Sequence, residues 1–364
     1  MPYPELEKLD PTDRHVTVMD VAGLAGVSHT TVSLSLRDDP RVKPATRQRV
    51  KAVADSLGYR PHAGARALAS KVVPYVGLLY GCSPAPLATP AAQLMRAKLP
   101  VVVALIGLLE SRGLHLVLDC EEPFLDSDKG LAMREAPAIL RQRHVSGVLV
   151  LNSVWPELYR AITRWNVPCV GVLTQQMPDI PLVSVDHTCG AVLAVRHLIE
   201  LGHRRIALLP GSKGSPAVTS KTEHKALGYV SAMNQAGLGV MPGWDARVEG
   251  PHTEAVERLL PRILAADPAP TAILAYDDTV AVRVIEHLHQ SGLRVPQDIS
   301  VVSLEDNFIS DACAPAITYV ANPAHELAEQ SVDMLDRLIH GQPLEQQQVL
   351  IEPKLVVRGS TAGP

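Results

Sequence analysis

Four carboxylates stand where apolar runs end: Asp277 and Asp278 after ILAY, and Glu305 and Asp306 after VVSL. Paired acids at such places can hydrolyse glycosides, one protonating the leaving group while the other attacks or activates water. They can equally bind a ligand, cap a helix or sit solvated on a loop. Lys225, three residues before Gly228, adds a point charge rather than a bidentate fork, which suits a carboxylated or phosphorylated ligand. His325-Glu326 hints at a metal, yet HELAE is not H-E-x-x-H. There is no G-x-S-x-G, and Gly211–Ser215 (GSKGS) lacks the spacing of a phosphate loop. That stretch reads more simply as a strand-to-helix loop. No metal and no cofactor is expected.

A second chemistry is recognition of a polyanion. Net charge is only −4, but Val16 to Lys71 carries a local +5, leaving about −9 for the rest. Basic charge gathered on a small segment is the footprint of phosphate contact. The elements that must carry it are legible. Thr17 with Asp20 makes a capping-box pattern before an apolar-periodic run in which Val18, Val21, Ala22 and Ala25 share a face. Gly26 follows, where a tight turn needs a residue tolerant of positive φ. Ser28 then caps a second helix, HTTVSLSL, with Val32 and Leu36 facing inward. A third helix starts at Pro44, buries Val50, Val53, Ala54 and Leu57, and ends at Gly58. Two short helices around a glycine turn form a helix-turn-helix, whose second helix enters the major groove.

Beyond this head, Tyr59-Arg60-Pro61 disfavours helix, and His62 to Ser70 is helix-capable but too short to be stable alone. Apolar strand-like runs then alternate with helical patterns. Strands are expected at Tyr75–Tyr80, Leu114–Asp119, Gly147–Leu151, Cys169–Leu173, Leu182–Val185, Ile206–Leu209, Ala272–Tyr276 and Ile299–Leu304. Helices are expected at Ala132–Arg143, Gly190–Leu201, Glu223–Ala236, Thr279–Ser291 and Glu326–His340. Fully apolar strands in such alternation predict doubly wound parallel sheets, and their number predicts two. Five cysteines with no C-x-x-C pair read as free thiols in a reducing compartment. MPYPELEKLDPTDRH lacks the basic start and apolar core of a signal peptide. LPVVVALIGLL, Leu99 to Leu109, is too short to span a bilayer and reads as a buried helix or one covered by a partner subunit.

DVAGLAGVSHTTVS, the TRQRV helix and LGYRPHAGARALA resemble the N-terminal domain of the lactose/galactose repressor (LacI/GalR) family. HLIELGHRRIALL, GLRVPQDISVVSLED and LVVRGST extend the resemblance over most of the chain. It implies a homodimer on a near-palindromic double-stranded operator, with a small effector controlling affinity. The implied fold is a small all-α helix-turn-helix head plus an α/β body of two periplasmic-binding-protein-like lobes. The expected parts are a flexible arm at 1–15, a DNA-binding domain at 16–61, a hinge at 62–73 and a ligand-binding and dimerisation body at 74–364. Lobe 1 is expected at about 74–186 and 318–340, and lobe 2 at about 187–317 and 341–360. The chain then crosses between lobes near Asp186, Ile317 and Gly341.

Site residues follow from the same resemblance. His29, Thr30 and Leu34 match base-contacting positions, and Thr17, Ser28, Thr31, Ser33 and Thr46 match phosphate-contacting ones. Lys43 replaces the usual serine, exchanging a helix cap for a phosphate-seeking charge. Leu34 stands where many members use arginine, so one strong base contact is missing. Ala65 and Leu68 fall in the hinge, with Leu68 matching a minor-groove wedge. Lys225, His252, Asp277 and Glu305 match ligand-facing positions, Lys225 in place of a sugar-clamping arginine. Leu173 occupies a place where sugar binders often carry aspartate, and the Pro- and Ala-rich stretch 81–98 does not match. A cytoplasmic, dimeric, ligand-responsive regulator, a repressor by preference, is therefore expected. Its effector is a sugar, sugar acid or sugar phosphate, and no membrane is involved. The competing readings are a cytoplasmic sugar-processing enzyme and a ligand-binding protein without DNA regulation.

Overall fold

The computed structural model describes residues 17–36, 39–57, 59, 73–80, 91–119, 124–126, 130–132, 140, 145–151, 156–174, 176–209, 216–244, 252–306 and 309–364. The chain divides into two units, Met1–Pro74 and Tyr75–Pro364. Ala65 and Leu68, the arm at 1–15 and most of the hinge at 62–73 lie outside the described residues.

The first unit holds α1 (Val18–Ala25), α2 (His29–Leu36) and α3 (Pro44–Ser56). Its core is Val21, Ala22, Ala25, Val32, Val50 and Ala54, with Leu36, Val53, Leu57 and Tyr59 packed against it. The capping box forms: Asp20 N–H donates to Thr17 Oγ1 at 3.4 Å, and Thr17 N–H donates to Asp20 Oδ2 at 2.8 Å. Gly26 has φ +64°, which makes the turn between α1 and α2 possible.

In the second unit the strands are β1 (Tyr75–Tyr80), β2 (His115–Asp119), β3 (Phe124–Asp126), β4 (Gly130–Ala132), β5 (Gly147–Leu151), β6 (Cys169–Val172), β7 (Leu182–Val185), β8 (Ile206–Leu209), β9 (Ala272–Ala275), β10 (Ser300–Ser303), β11 (Thr318–Ala321), β12 (Gln348–Ile351) and β13 (Lys354–Val356). One six-stranded parallel sheet runs β12-β7-β6-β5-β1-β2. A five-stranded sheet runs β13-β11-β10-β9-β8, parallel except for the antiparallel β11–β13 pair. The helices are α4 (Ala91–Ser111), α5 (Pro156–Trp165), α6 (His187–Glu200), α7 (Pro216–Gln235), α8 (His252–Leu264), α9 (Asp278–Gln290) and α10 (Ala324–Ile339).

Each sheet carries a core on both faces, because alternate residues of its buried strands point opposite ways. Ala207, Leu209, Ile273 and Ala275 pack under α8 and α9, whereas Ile206, Leu208, Ala272 and Leu274 pack under α6 and α7. The first sheet does the same with α4 and α10 on one face and α5 on the other. In α4, Val101, Leu105 and Leu109 are buried at four-residue spacing, while Leu99 and Val103 are 50% and 58% exposed.

Among the described residues the chain passes between the two large sheets at three places. The first passage is at Asp186, between β7 and α6. The second was expected near Ile317, but β11 belongs to the second sheet, so it falls between Ala321 and Ala324. The third was expected near Gly341, yet β12 stays in the first sheet and the passage is Glu352-Pro353. β12 and β13 are partly exposed edge strands, so they lack the continuous apolar run by which the buried strands register in sequence. Ala132, where a helix was expected to begin, instead closes the β3–β4 hairpin, and 133–139 and 141–143 of that expected helix lie outside the described residues.

The final residues bind back onto the second sheet. Ser360 Oγ accepts from Thr318 N–H at 2.8 Å, and Val301 N–H donates to the Ser360 carbonyl at 2.9 Å. His203, buried, has one ring nitrogen 2.9 Å from Thr271 Oγ1 and the other 2.8 Å from the Ala362 carbonyl. Desolvation lowers its pKa below the ordinary 6.5, with the Ala362 hydrogen bond opposing. A depressed folded-state pKa contributes stability that is present above 6.5 and lost as acid protonates the folded imidazole. Resistance to urea should therefore fall from pH 7.5 to about 5.5, and His203→Gln should remove part of that slope. An unchanged slope would show that the imidazole is not responsible.

Candidate functional site

In the head, α2 is positioned by a capped turn and a single buried face. Thr31 N–H donates to Ser28 Oγ at 3.1 Å, so the cap expected at Ser28 forms. Val32 is fully buried, and Ser35, also buried, donates to the Thr31 carbonyl at 2.7 Å. This leaves Ser28, His29 and Thr30 exposed and Thr31, Ser33 and Leu34 partly exposed, so donors and acceptors line the outer face. Thr17 and Lys43 are exposed and Thr46 is partly so. Lys43 precedes α3 without capping it through its side chain.

In the body, three neighbouring strands deliver the remaining groups to their carboxyl ends, where ligands bind in doubly wound sheets. Glu305 follows β10, Asp277 follows β9, and Lys225 lies on α7, which comes after β8. Lys225 Nζ donates to Glu305 Oε2 at 2.9 Å and to the Tyr276 carbonyl at 2.9 Å. It also sits 3.8 Å from the Tyr276 ring centroid. Two of the three ammonium N–H groups thus have oxygen acceptors, and the Tyr276 ring face lies against the cation. The side chains of Lys225 and Glu305 are only 2% and 5% exposed. Lys221, one turn earlier, approaches the other Glu305 oxygen at 3.9 Å.

Sequence reasoning left Lys225 as a point charge suited to an acidic ligand or, equally, as one partner of a surface pair. The structure instead closes it within the protein, because a buried cation must be paired. Tyr276, Lys221 and Thr222 were not foreseen as members of this cluster. Two lysines four residues apart on one helix face were the available signal. Burial, then the negative charges of Glu305 and Asp277, hold the Tyr276 hydroxyl well above its ordinary pKa, with a hydrogen bond to Thr222 opposing.

Asp277 is a partly exposed helix cap, accepting from Val280 N–H at 2.9 Å. Asp278 is buried and accepts from Ile309 N–H at 3.0 Å. His252 opens α8, and its side chain lies outside the described set, as does Gly211–Ser215. Leu173 follows β6, buried, with φ +54° and its N–H donating to the Val183 carbonyl at 2.9 Å. A leucine in the left-handed region costs about 1–3 kcal/mol, so tertiary packing must impose it. Where the resemblance suggested an aspartate, this chain buries an apolar side chain. Among the described residues no cluster of His, Cys, Asp and Glu could hold a metal ion, and no helix is long and apolar enough to cross a membrane. Glu326 instead lies 3.7 Å from Lys354 Nζ.

Residues 17–62 match the family model for bacterial regulatory proteins of the lacI family, and residues 195–361 match that for a periplasmic binding protein-like domain. The chain is 30% identical to the ribose operon repressor of Escherichia coli K12 over 350 residues, covering 94% of this chain and 99% of that protein. It is 29% identical to catabolite control protein A of Priestia megaterium, covering 95% and 99%. A lac repressor dimer bound to operator and the anti-inducer ONPF is similar at TM-score 0.71 and 27% identity, covering 96% of this chain and 100% of that one. A CelR–cellobiose complex is similar at TM-score 0.63 and 26% identity, covering 95% and 99%. A helix-turn-helix head joined to a two-sheet, periplasmic-binding-protein-like body defines a DNA-binding transcriptional regulator. The chain belongs to the LacI family of bacterial regulatory proteins.

Proposed function

We propose that this protein is a cytoplasmic repressor that binds a near-palindromic operator as a homodimer and responds to a neutral, polyhydroxylated effector held between the lobes of its body. The supporting observation for DNA reading is α2, capped at Ser28, buried through Val32 and open along its polar side. His29, Thr30 and Leu34 face base edges in this reading, and Thr17, Ser28, Thr31, Ser33, Lys43 and Thr46 set register on phosphates. Ala65 and Leu68 serve in the hinge, with Leu68 as the minor-groove wedge. The exposed face of α4, with Leu99 and Val103, is the surface offered to the second subunit.

Effector chemistry is argued from the closed Lys225–Glu305 pair. Lys225 is neutralised inside the protein by Glu305 and so does not stand open to an acidic ligand, while Asp277, partly exposed, can accept from hydroxyls. His252 completes the proposed lining. The relatives include a cellobiose complex and a repressor named for a ribose operon, which agrees with a sugar. The function is binding rather than catalysis. Effector and operator affinities must be linked, and the coupling is reciprocal.

Footprinting of the full chain on its own upstream DNA, with neutral sugars, sugar acids and sugar phosphates in separate lanes, tests both halves. Protection of a palindrome that a neutral sugar alters is expected. An acid or phosphate as the sole active compound would overturn the effector reading. No protection at any salt would overturn the operator reading, and turnover of a sugar would favour the enzyme.

A further inference from the structure

Between α2 and α3 the chain makes a tight turn that is tied to the recognition helix itself. Asp39 N–H donates to the Leu34 carbonyl at 3.1 Å, and Val42 N–H donates to the Asp39 carbonyl at 3.1 Å. Val42 is buried, so the turn is anchored on both sides of Arg41. Asp39 then grips Arg41 three times. The carboxylate accepts from Arg41 N–H at 2.9 Å, from Nε at 3.0 Å and from Nη2 at 2.7 Å. The Arg41 side chain is nevertheless 75% exposed, against 19% for Asp39.

This geometry has a chemical consequence. A guanidinium is planar and carries five N–H groups along three edges. The side edge, Nε with Nη2, is spent on Asp39. The end edge, Nη1 with the second Nη2 hydrogen, remains available, and its plane is fixed by the Asp39 contact. A flexible exposed arginine loses rotamer entropy when it docks. Here that ordering has already been met within the protein. An open, rigid two-donor edge matches the O6 and N7 acceptors of guanine in the major groove. Leu34, to whose carbonyl the turn is tied, cannot make such a contact, because leucine carries no donor.

We propose that Arg41, oriented by Asp39, is a base-reading residue of this head that recognises a guanine from the turn after the recognition helix. The proposal rests on the DNA-binding reading above and adds a specificity determinant outside α2. Asp39 acts as a positioning residue.

The test uses the full-length protein and a pool of duplexes carrying a randomised segment, followed by affinity measurements on the selected duplex and on an unrelated one at fixed salt. Arg41→Ala should weaken the selected duplex by about 5- to 150-fold, the range of a good bidentate base pair. The unrelated duplex should change by less than about 3-fold, and selection with the variant should lose a guanine preference. Arg41→Lys keeps the charge but not the fork, so it should behave like the alanine variant. Asp39→Ala discriminates most sharply. Removing an acid near DNA should tighten binding if only net charge matters, whereas loss of orientation should weaken the selected duplex and relax the same guanine position.

Equal weakening of both duplexes by Arg41→Ala, with rescue by lysine, would make Arg41 a phosphate contact and overturn the proposal. Tightening of both duplexes by Asp39→Ala would do the same. A wild-type protein that enriches no sequence would overturn the regulator reading itself, and this inference with it. Arg41 is exposed, so these outcomes are readable on folded protein.

Discussion

Glu305→Ala is expected to destabilise the second lobe by about 3–5 kcal/mol, because it strands the Lys225 ammonium in a buried site. The remaining partners, the Tyr276 carbonyl at 2.9 Å and the Tyr276 ring at 3.8 Å, are dipolar or quadrupolar and cannot replace an anion. Lys225→Met should cost less. The carboxylate it leaves behind already has Lys221 at 3.9 Å, and that longer-range partner can close the gap. Replacing both members, Lys225→Met with Glu305→Leu, removes the desolvation penalty together with the attraction, so much of the loss should be recovered. Urea unfolding of the four proteins in a double-mutant cycle measures the coupling. Purely additive losses would mean that the pair is not the unit described. The same double variant separates stability from function, since it should fold yet respond poorly to effector.

The second large effect is expected at Gly228, one turn beyond Lys225 on α7. A Cβ there would lie 2.3 Å from the Thr188 carbonyl oxygen and 2.9 Å from Ala191 Cβ. Both belong to α6, and the nearer obstacle is backbone within a helix, which cannot rotate aside. Gly228→Ala must push α6 and α7 apart, opening the core that contains Ala191, Ala194, Tyr229 and Met233. Overpacking in a close-packed interior costs typically about 1–3 kcal/mol and occasionally more, and a backbone clash puts this case at about 3 kcal/mol or above. Gly23→Ala on α1 is the matched control. Nothing lies within 4 Å of its Cβ position, so a mid-helix Gly→Ala change should stabilise the head by about 0.5–1 kcal/mol. Thermal unfolding of the two variants should shift in opposite directions. A neutral Gly228→Ala would mean that the two helices are less tightly apposed than described.

Lys225 and Leu173 illustrate where local reading stopped. At Lys225 the helix, the register before Gly228 and the nearness to strand ends were all legible, because each depends on residues close in the chain. Its role was not. Glu305 lies 80 residues away and Tyr276 lies 51 away, and only folding brings them within hydrogen-bonding reach. Leu173 was legible as a departure from a polar position. Its left-handed backbone was not, since nothing in leucine favours φ +54°.

By itself the sequence determined the parts whose physics is local. These are the capping box at Thr17, the positive-φ turn at Gly26, the serine cap and inward Val32 of α2, and the apolar strands β1, β5 and β8. Hydrogen bonds within four residues and the periods of strand and helix specify all of these. Tertiary structure alone decided which sheet received β11, β12 and β13, and therefore where the chain passes between lobes. It also decided that Lys225 is closed by Glu305, 80 residues further along the chain. Short strands take their place from the edge they pair with, and buried charges take theirs from the partner that neutralises them. Neither partner can be named until the whole chain has folded.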